Sequence, residues 1–82
     1  MGEEFTVART VDLKGQVCPY TFVRSKLVLE EMDIGQVLRV IVDHEPAVNN
    51  VPRSMENEGQ SIVNVGKIND DDWEIVIRKE TE

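Results

Sequence analysis

The sequence contains little of what several protein classes require, beginning with cysteine. Its 82 residues include one cysteine, Cys18, so neither an internal disulfide nor a zinc site built from several cysteines can form. A chain without disulfides suits a reducing compartment, and no signal-peptide pattern is visible, so we expect a cytoplasmic protein. No apolar run is long enough to cross a bilayer, and we expect no membrane segment.

Positive charge is also scarce. Nine Lys and Arg residues stand against sixteen Asp and Glu residues, which gives a formal net charge of -7. Such a chain repels nucleic-acid backbones and anionic lipid surfaces, so we expect no direct binding to either. The one histidine and its spacing from the one cysteine cannot support a metal site, and we expect neither a metal nor an organic cofactor.

The short length predicts one domain over residues 1–82, in which residues 1–4 form a flexible tail. A chain of this size buries only about 60% of the surface that it exposes when unfolded. It therefore has little room for a deep pocket, and we expect any chemistry to take place at the surface.

The first third of the chain predicts a strand followed by a helix. Apolar residues alternate from Phe5 to Leu13, with Phe5, Val7, Val11 and Leu13 on one side. A helix is expected from Pro19 to about Met32, since proline is favoured in a first helical turn. Its core face should be the sector without charges, formed by Thr21, Phe22, Ser25, Val28, Leu29 and Met32. A second apolar line points away from that face and consists of Tyr20, Val23 and Leu27.

The next segment predicts a second strand and helix. Gly35 is expected to end the first helix. The central strand should run from Val37 to Val42, parallel to the first strand, because a helix separates the two. A second helix is expected at roughly 47–58, with its apolar residues on one face and Pro52 dividing or bending it.

The last third of the chain predicts a hairpin. Strands at 62–68 and 73–77 flank the turn-forming residues 69–72. The element order βαβαββ indicates an α+β fold, a two-layer α/β sandwich with a mixed four-stranded sheet and both helices on one face. Val37 and Ile41 would then lie on the helix-free face, which is either a dimerisation or docking surface or, as we prefer, ordinary sheet surface.

Cys18 is the residue best suited to chemistry. It directly precedes Pro19, at the start of the first predicted helix, where unpaired N–H groups and the helix dipole favour a reactive thiolate over a thiol. The same donors would favour a persulfide, which is also an anion. From its position alone, a buried apolar role is about as frequent for an unpaired cysteine.

A family resemblance decides between these two interpretations. The chain resembles the TusA family, also called SirA-like proteins, and the resemblance covers nearly all of it after the first few residues. The motif carrying it is Val11-Asp12-Leu13-x-Gly15-x-x-Cys18-Pro19, followed by Gly35-x-Val37-Leu38-x-Val40, Pro46-Ala47, Val51-Pro52, Gly59 and Ile77-Arg78-Lys79. The resemblance implies a two-layer sandwich that takes sulfane sulfur from a cysteine desulfurase or other persulfide donor and passes it to an acceptor protein. Cys18 corresponds to the family's sulfur-bearing cysteine.

The sequence departs from the family pattern at one position. The family usually has Cys-Pro-x-Pro, whereas Thr21 stands here at the second proline. Threonine restores a backbone N–H and adds a hydroxyl at the helix start, so stabilisation of the thiolate need not suffer. We expect Pro19, Tyr20 and Thr21 to form the helix N-terminus that supports Cys18.

Two further features can each be interpreted either as functional or as ordinary parts of the protein surface. Val23 and Leu27, beside Tyr20, form either a partner-docking patch or scattered apolar surface. His44 follows the second strand and should lie at the same sheet edge as Cys18, either as a charge partner for the thiolate or, more often for such a residue, as a solvated loop histidine.

The predicted activity is that of a persulfide carrier rather than of an enzyme in the strict sense. A protein-binding or regulatory module of the same fold is the main alternative, and a redox-sensing thiol is a third. The sequence does not indicate the oligomeric state or the final acceptor, which would belong to transfer-RNA thiolation, molybdenum-cofactor assembly, selenium handling or dissimilatory sulfur metabolism.

Overall fold

The computed structural model describes residues 6–17 and 20–81, which form four strands and two helices. The elements in chain order are β1 (Val7–Asp12), α1 (Tyr20–Glu30), β2 (Val37–Val42), α2 (Glu45–Asn57), β3 (Ser61–Lys67) and β4 (Trp73–Arg78). The strands lie in the order β1-β2-β4-β3; β1 and β2 are parallel, and the other neighbours are antiparallel. The predicted fold class is confirmed. Within the described part of the chain, no helix is long and apolar enough to cross a membrane.

The core lies between one face of the sheet and the two helices. Alternate residues of β2 point towards the helices, as predicted, and they pack with alternate residues of β4. The cluster comprises Leu13, Leu29, Met32, Leu38, Val40, Val42, Ala47, Val51, Met55, Ile75 and Ile77. The predicted core face of α1 is also confirmed, since Thr21, Ser25 and Leu29 are buried while Phe22 and Val28 pack against the cluster.

The predicted alternation along β1 is wrong at its start. Val7 pairs with Val37, on the helix-free face, whereas Arg9 pairs with Leu38, on the helix face. A β-bulge between Val7 and Arg9 causes this change, because the extra residue moves the side chains that follow to the other face. Arg9 then reaches Glu31, just after α1, in an ion pair of 2.9 Å. Phe5, predicted to begin this strand, lies outside the described residues, as does the predicted tail.

The prediction that Gly35 ends α1 is wrong, and so is a division of α2 at Pro52, whereas a bend at Pro52 stays a prediction. Helix α1 ends at Glu30, and Gly35 lies in the following turn, where its φ of 95° suits a glycine. Pro52 does not divide α2, which is one continuous helix from Glu45 to Asn57. A proline removes only one intrahelical hydrogen bond, and the buried residues Val51 and Met55 hold this helix on the sheet.

Polar side chains on the helix-free face of the sheet are joined by an ion pair and a hydrogen bond. Val37 and Ile41 are buried there although no helix covers them. Arg39, which lies between them, pairs with Glu74 of β4 at 2.7 Å, and the Asn64 amide donates to the second oxygen of Glu74 at 2.9 Å. This polar layer supports the interpretation as ordinary sheet surface.

Candidate functional site

The structure describes the residues before and after the predicted sulfur site. Cys18 and Pro19 themselves lie outside the described residues, so the predicted role of Cys18 stays a prediction. Helix α1 is described from Tyr20, two positions after the cysteine, and the predicted helix start at Pro19 lies outside the described residues. The backbone N–H of Tyr20 donates to the carbonyl of Val17 over 2.8 Å, which joins the two residues that flank the pair.

The loop that leads to the cysteine is built from a tight turn. The N–H of Gln16 donates to the carbonyl of Leu13 at 3.0 Å, and Gly15 has a φ of 90° at the third position of this turn. A positive φ there is typical of a type II turn, which favours glycine. The N–H of Lys14 donates to the side chain of Asp12 at 3.0 Å, so the end of β1 also supports the turn.

A second carboxylate holds this turn from the neighbouring strand. The N–H of Gly15 donates to Oδ1 of Asp43 over 3.0 Å. Asp43 directly follows β2, and the N–H of Leu13 donates to the carbonyl of Ile41 at 2.8 Å. The loop therefore rests on the end of β2, because the two parallel strands end at the same edge of the sheet.

His44 lies at this edge, as predicted. It is the N-cap residue of α2, with an extended backbone, and its side chain is half-buried and makes no capping hydrogen bond. Because Cys18 is outside the described residues, a contact between the imidazole and the thiol stays a prediction.

Helix α1 carries an exposed apolar strip, formed by Tyr20, Val23 and Leu27, with Val17 before the helix. All four side chains are exposed, which confirms the prediction that the second apolar line points away from the core. A shallow cleft between α1 and β1 adjoins the strip and includes Arg24, which makes no ion pair with any described residue.

Thr21, which stands at the family's usual second proline, has its side chain in the interior. It is the second residue of α1 and is fully buried. Its carbonyl accepts a hydrogen bond of 2.7 Å from the hydroxyl of Ser25, one turn further along. Thr21 thus belongs to the inner face of the helix rather than to the exposed strip.

Comparison with known proteins relates this arrangement to a family. Residues 9–79 match the family model described as Sulfurtransferase TusA. The chain belongs to the TusA family. A protein of Archaeoglobus fulgidus named "Putative sulfur carrier protein" is 54% identical over 69 residues, which cover 84% of this chain and 78% of that protein. TsuB of Escherichia coli K12, which carries the same description, is 32% identical over 73 residues, covering 89% of this chain and 97% of TsuB.

A solved structure supports the assignment of the fold. The crystal structure of a SirA-like protein from Desulfitobacterium hafniense has a TM-score of 0.78 and 28% sequence identity with this chain. The match covers 89% of this chain and 99% of that protein. The TusA family fold is thus the fold described above.

Among the described residues of this TusA family member, no group of three or more His, Cys, Asp or Glu side chains could hold a metal ion.

Sequence reasoning missed one residue that holds the cysteine loop, Asp43. A signal was present, since parallel strands separated by a helix bring Asp43 to the edge where the cysteine loop begins, and a carboxylate readily accepts backbone N–H groups.

Proposed function

We propose that this chain is a sulfur carrier, which accepts sulfane sulfur as a persulfide on Cys18 and relays it to a partner protein. The observation that carries the proposal is the position of the chain's one cysteine, directly before the helix that begins at Tyr20, in a member of the TusA family. The names of the relatives as sulfur carriers support the same activity.

The start of α1 favours a negatively charged sulfur. The helix dipole adds partial positive charge at this end of α1, where the N–H of Tyr20 already donates to the carbonyl of Val17. The first turn of α1 contains no acidic residue that would oppose this effect. We assign Pro19, Tyr20 and Thr21 to the support of this site, where a thiolate or a persulfide anion would be stabilised.

The proposed transfer needs no cofactor and no oxidant. The Cys18 thiolate attacks the outer sulfur of a donor persulfide, a new S–S bond forms on Cys18, and the donor's S–S bond breaks to release the donor thiolate. Delivery repeats the step with Cys18 as the donor and an acceptor thiolate as the nucleophile. The sulfur keeps its oxidation state throughout, so electrons balance.

Such a transfer requires the sulfur atoms of two proteins to meet. Val23 and Leu27, with Tyr20, lie along the helix that begins beside Cys18, and they provide an exposed apolar strip. Burial of exposed apolar side chains at the centre of an interface contributes much of its affinity. We therefore assign Val23 and Leu27 to docking of the persulfide donor, a cysteine desulfurase or another such protein, and of the downstream acceptor.

Mass spectrometry of the intact protein tests the proposal. After incubation with a cysteine desulfurase and cysteine, we expect the protein to gain the mass of one sulfur atom, to lose it on reduction, and to carry it on the peptide that contains Cys18. The C18S variant should gain nothing. If the parent stays unmodified but binds the desulfurase as tightly as C18S does, the chain is a binding module; a mixed disulfide instead of a persulfide would indicate a redox-sensing thiol.

A further inference from the structure

We infer that Asp43 is a positioning residue for sulfur transfer, through its hydrogen bond to the backbone of Gly15. This inference rests on the proposed function and adds a residue to it. Asp43 lies outside the motif that carries the family resemblance, and it is separated by 25 positions from Cys18 in the sequence (43 − 18 = 25). Among the described residues, the contact through which it can act on the cysteine is this bond to the loop.

The loop has few other connections to the rest of the molecule. Among residues 13–17, the bonds of Lys14 and Gln16 stay within the end of β1 and the turn itself. Among the described residues, the bonds from Leu13 to β2 and from Gly15 to Asp43 join the loop to the sheet edge, and the carbonyl of Val17 accepts from Tyr20 of α1. Of the two bonds to the sheet edge, the one to Asp43 is nearer to Cys18 in the sequence, so it limits how far the turn can move away from that edge.

Holding this turn matters because a transfer rate depends on where the nucleophile lies. A reacting atom that is displaced by a fraction of an ångström loses much of the advantage of orientation. Asp43 thus acts on the geometry of attack and not on the affinity for a partner, since it is on the loop after β2 and not on the apolar strip of α1.

Charge and hydrogen bonding can be separated at this position. D43N and D43A both remove the negative charge, but asparagine keeps an oxygen that can accept the Gly15 N–H, whereas alanine does not. Asp71 offers a matched control, because it is an exposed aspartate in the hairpin turn whose side chain makes no hydrogen bond among the described residues. D71A changes the net charge in the same way.

The test measures how fast each variant acquires sulfur from a persulfide donor over a range of donor concentrations. We expect D43A to lower the maximal rate roughly fivefold, the size expected for loss of one net hydrogen bond. The half-saturating donor concentration should not change, and D43N and D71A should stay within about twofold of the parent. The inference is overturned if D43A loads as fast as the parent, or if D43N is as slow as D43A.

A second measurement keeps this inference distinct from the proposed function. Hydrogen exchange of the Gly15 amide should be faster in D43A than in D43N. We expect the two variants to unfold globally at the same denaturant concentration, so that the difference in exchange is local. If the parent never acquires sulfur, the proposed function fails. Equal exchange of the Gly15 amide in the two variants would, independently of that result, overturn the role of the bond between Asp43 and Gly15.

Discussion

The side-chain ammonium of Lys79 donates a hydrogen bond to the main-chain carbonyl of Met32 over 2.7 Å. Lys79 follows β4, and Met32 follows α1, so the bond fastens the end of the first helix to the end of the last strand. Two backbone bonds reinforce this junction, because the Lys79 carbonyl accepts from Gly35 and its N–H donates to Gln36. The lysine side chain is thereby enclosed, with only 4% of the residue exposed.

Replacing Lys79 by methionine should destabilise the fold. The variant leaves the Met32 carbonyl without its donor, and an unsatisfied buried acceptor costs about 1–3 kcal/mol. We expect urea denaturation to show a loss of this size in the free energy of unfolding. R53M is the matched control, because Arg53 is an exposed α2 residue that makes no ion pair within the described part of the chain, and the substitution removes one positive charge as well. Equal unfolding midpoints for the two variants would contradict the prediction.

Alanine at Gly15 should strain the turn that leads to Cys18. A Cβ atom at this position would meet nothing within 4 Å, so the cost comes only from the backbone φ of 90°. A non-glycine residue in this region costs about 1–2 kcal/mol, and we expect G15A to lose about this much stability and to acquire sulfur more slowly.

Gly66 provides the comparison for Gly15. It also has open space for a Cβ atom, but its φ lies outside the positive range. G66A should therefore be as stable as the parent or slightly more so, because alanine restricts the unfolded chain. Thermal and urea unfolding of both variants measure the difference, and a destabilised G66A with a normal G15A would refute the argument from φ.

The parts of the fold that depend on local pattern were predictable from the sequence. The alternation of Leu38, Val40 and Val42 follows from the period of a strand, and the exposure of Tyr20 and Leu27 follows from the period of a helix. Both patterns can be recognised within a few residues, without knowledge of the partners across the fold.

The parts that depend on pairing between distant segments were not predictable in this way. The bulge in β1 appears only in the register against β2, where Val7 lies on the helix-free face while Arg9 and Val11 lie on the helix face. The bond between Asp43 and Gly15 spans 28 positions, and the bond between Lys79 and Met32 spans 47. Lysine is also rarely buried, so neither the residue type nor the neighbouring sequence gave a reason to place Lys79 in the interior.

Stability should depend on pH through Glu80. A hydrogen bond from the Ser61 side chain, and then one from Arg78, hold the pKa of Glu80 below its ordinary value of 4.5. A carboxyl group with a lowered pKa in the folded state stabilises the fold above the pKa of the unfolded chain, and the effect is lost as the pH falls through the folded pKa. The stability gap between the parent and E80Q should therefore be largest above pH 4.5 and shrink in more acidic solution.

Urea denaturation at a series of pH values checks this dependence. E56Q serves as the control, because Glu56 is an exposed α2 residue whose side chain makes no hydrogen bond or ion pair among the described residues. Its gap from the parent should stay constant over the same range. A gap for E80Q that widens as the pH falls would have the wrong sign and would contradict the assignment of Glu80.

Leu27 and Ile34 allow the docking role of the apolar strip to be tested with side chains of equal exposure. Leu27 is 54% exposed on the strip, and Ile34 is 53% exposed in the turn that follows α1. Neither side chain contributes to the buried core cluster, so serine at either position should leave the unfolding midpoint nearly unchanged.

Their effects on partner binding should differ. L27S removes apolar area from the proposed interface and should weaken the affinity for the persulfide donor on the order of tenfold, whereas I34S should leave it unchanged. Calorimetric titration of the donor with each variant gives the two dissociation constants. If both variants bind as the parent does, or if I34S is weakened as much as L27S, docking does not take place on this strip. A loss confined to L27S would locate the donor along α1, because Leu27 lies on the helix that follows Cys18, whereas Ile34 is similarly exposed but lies after that helix has ended.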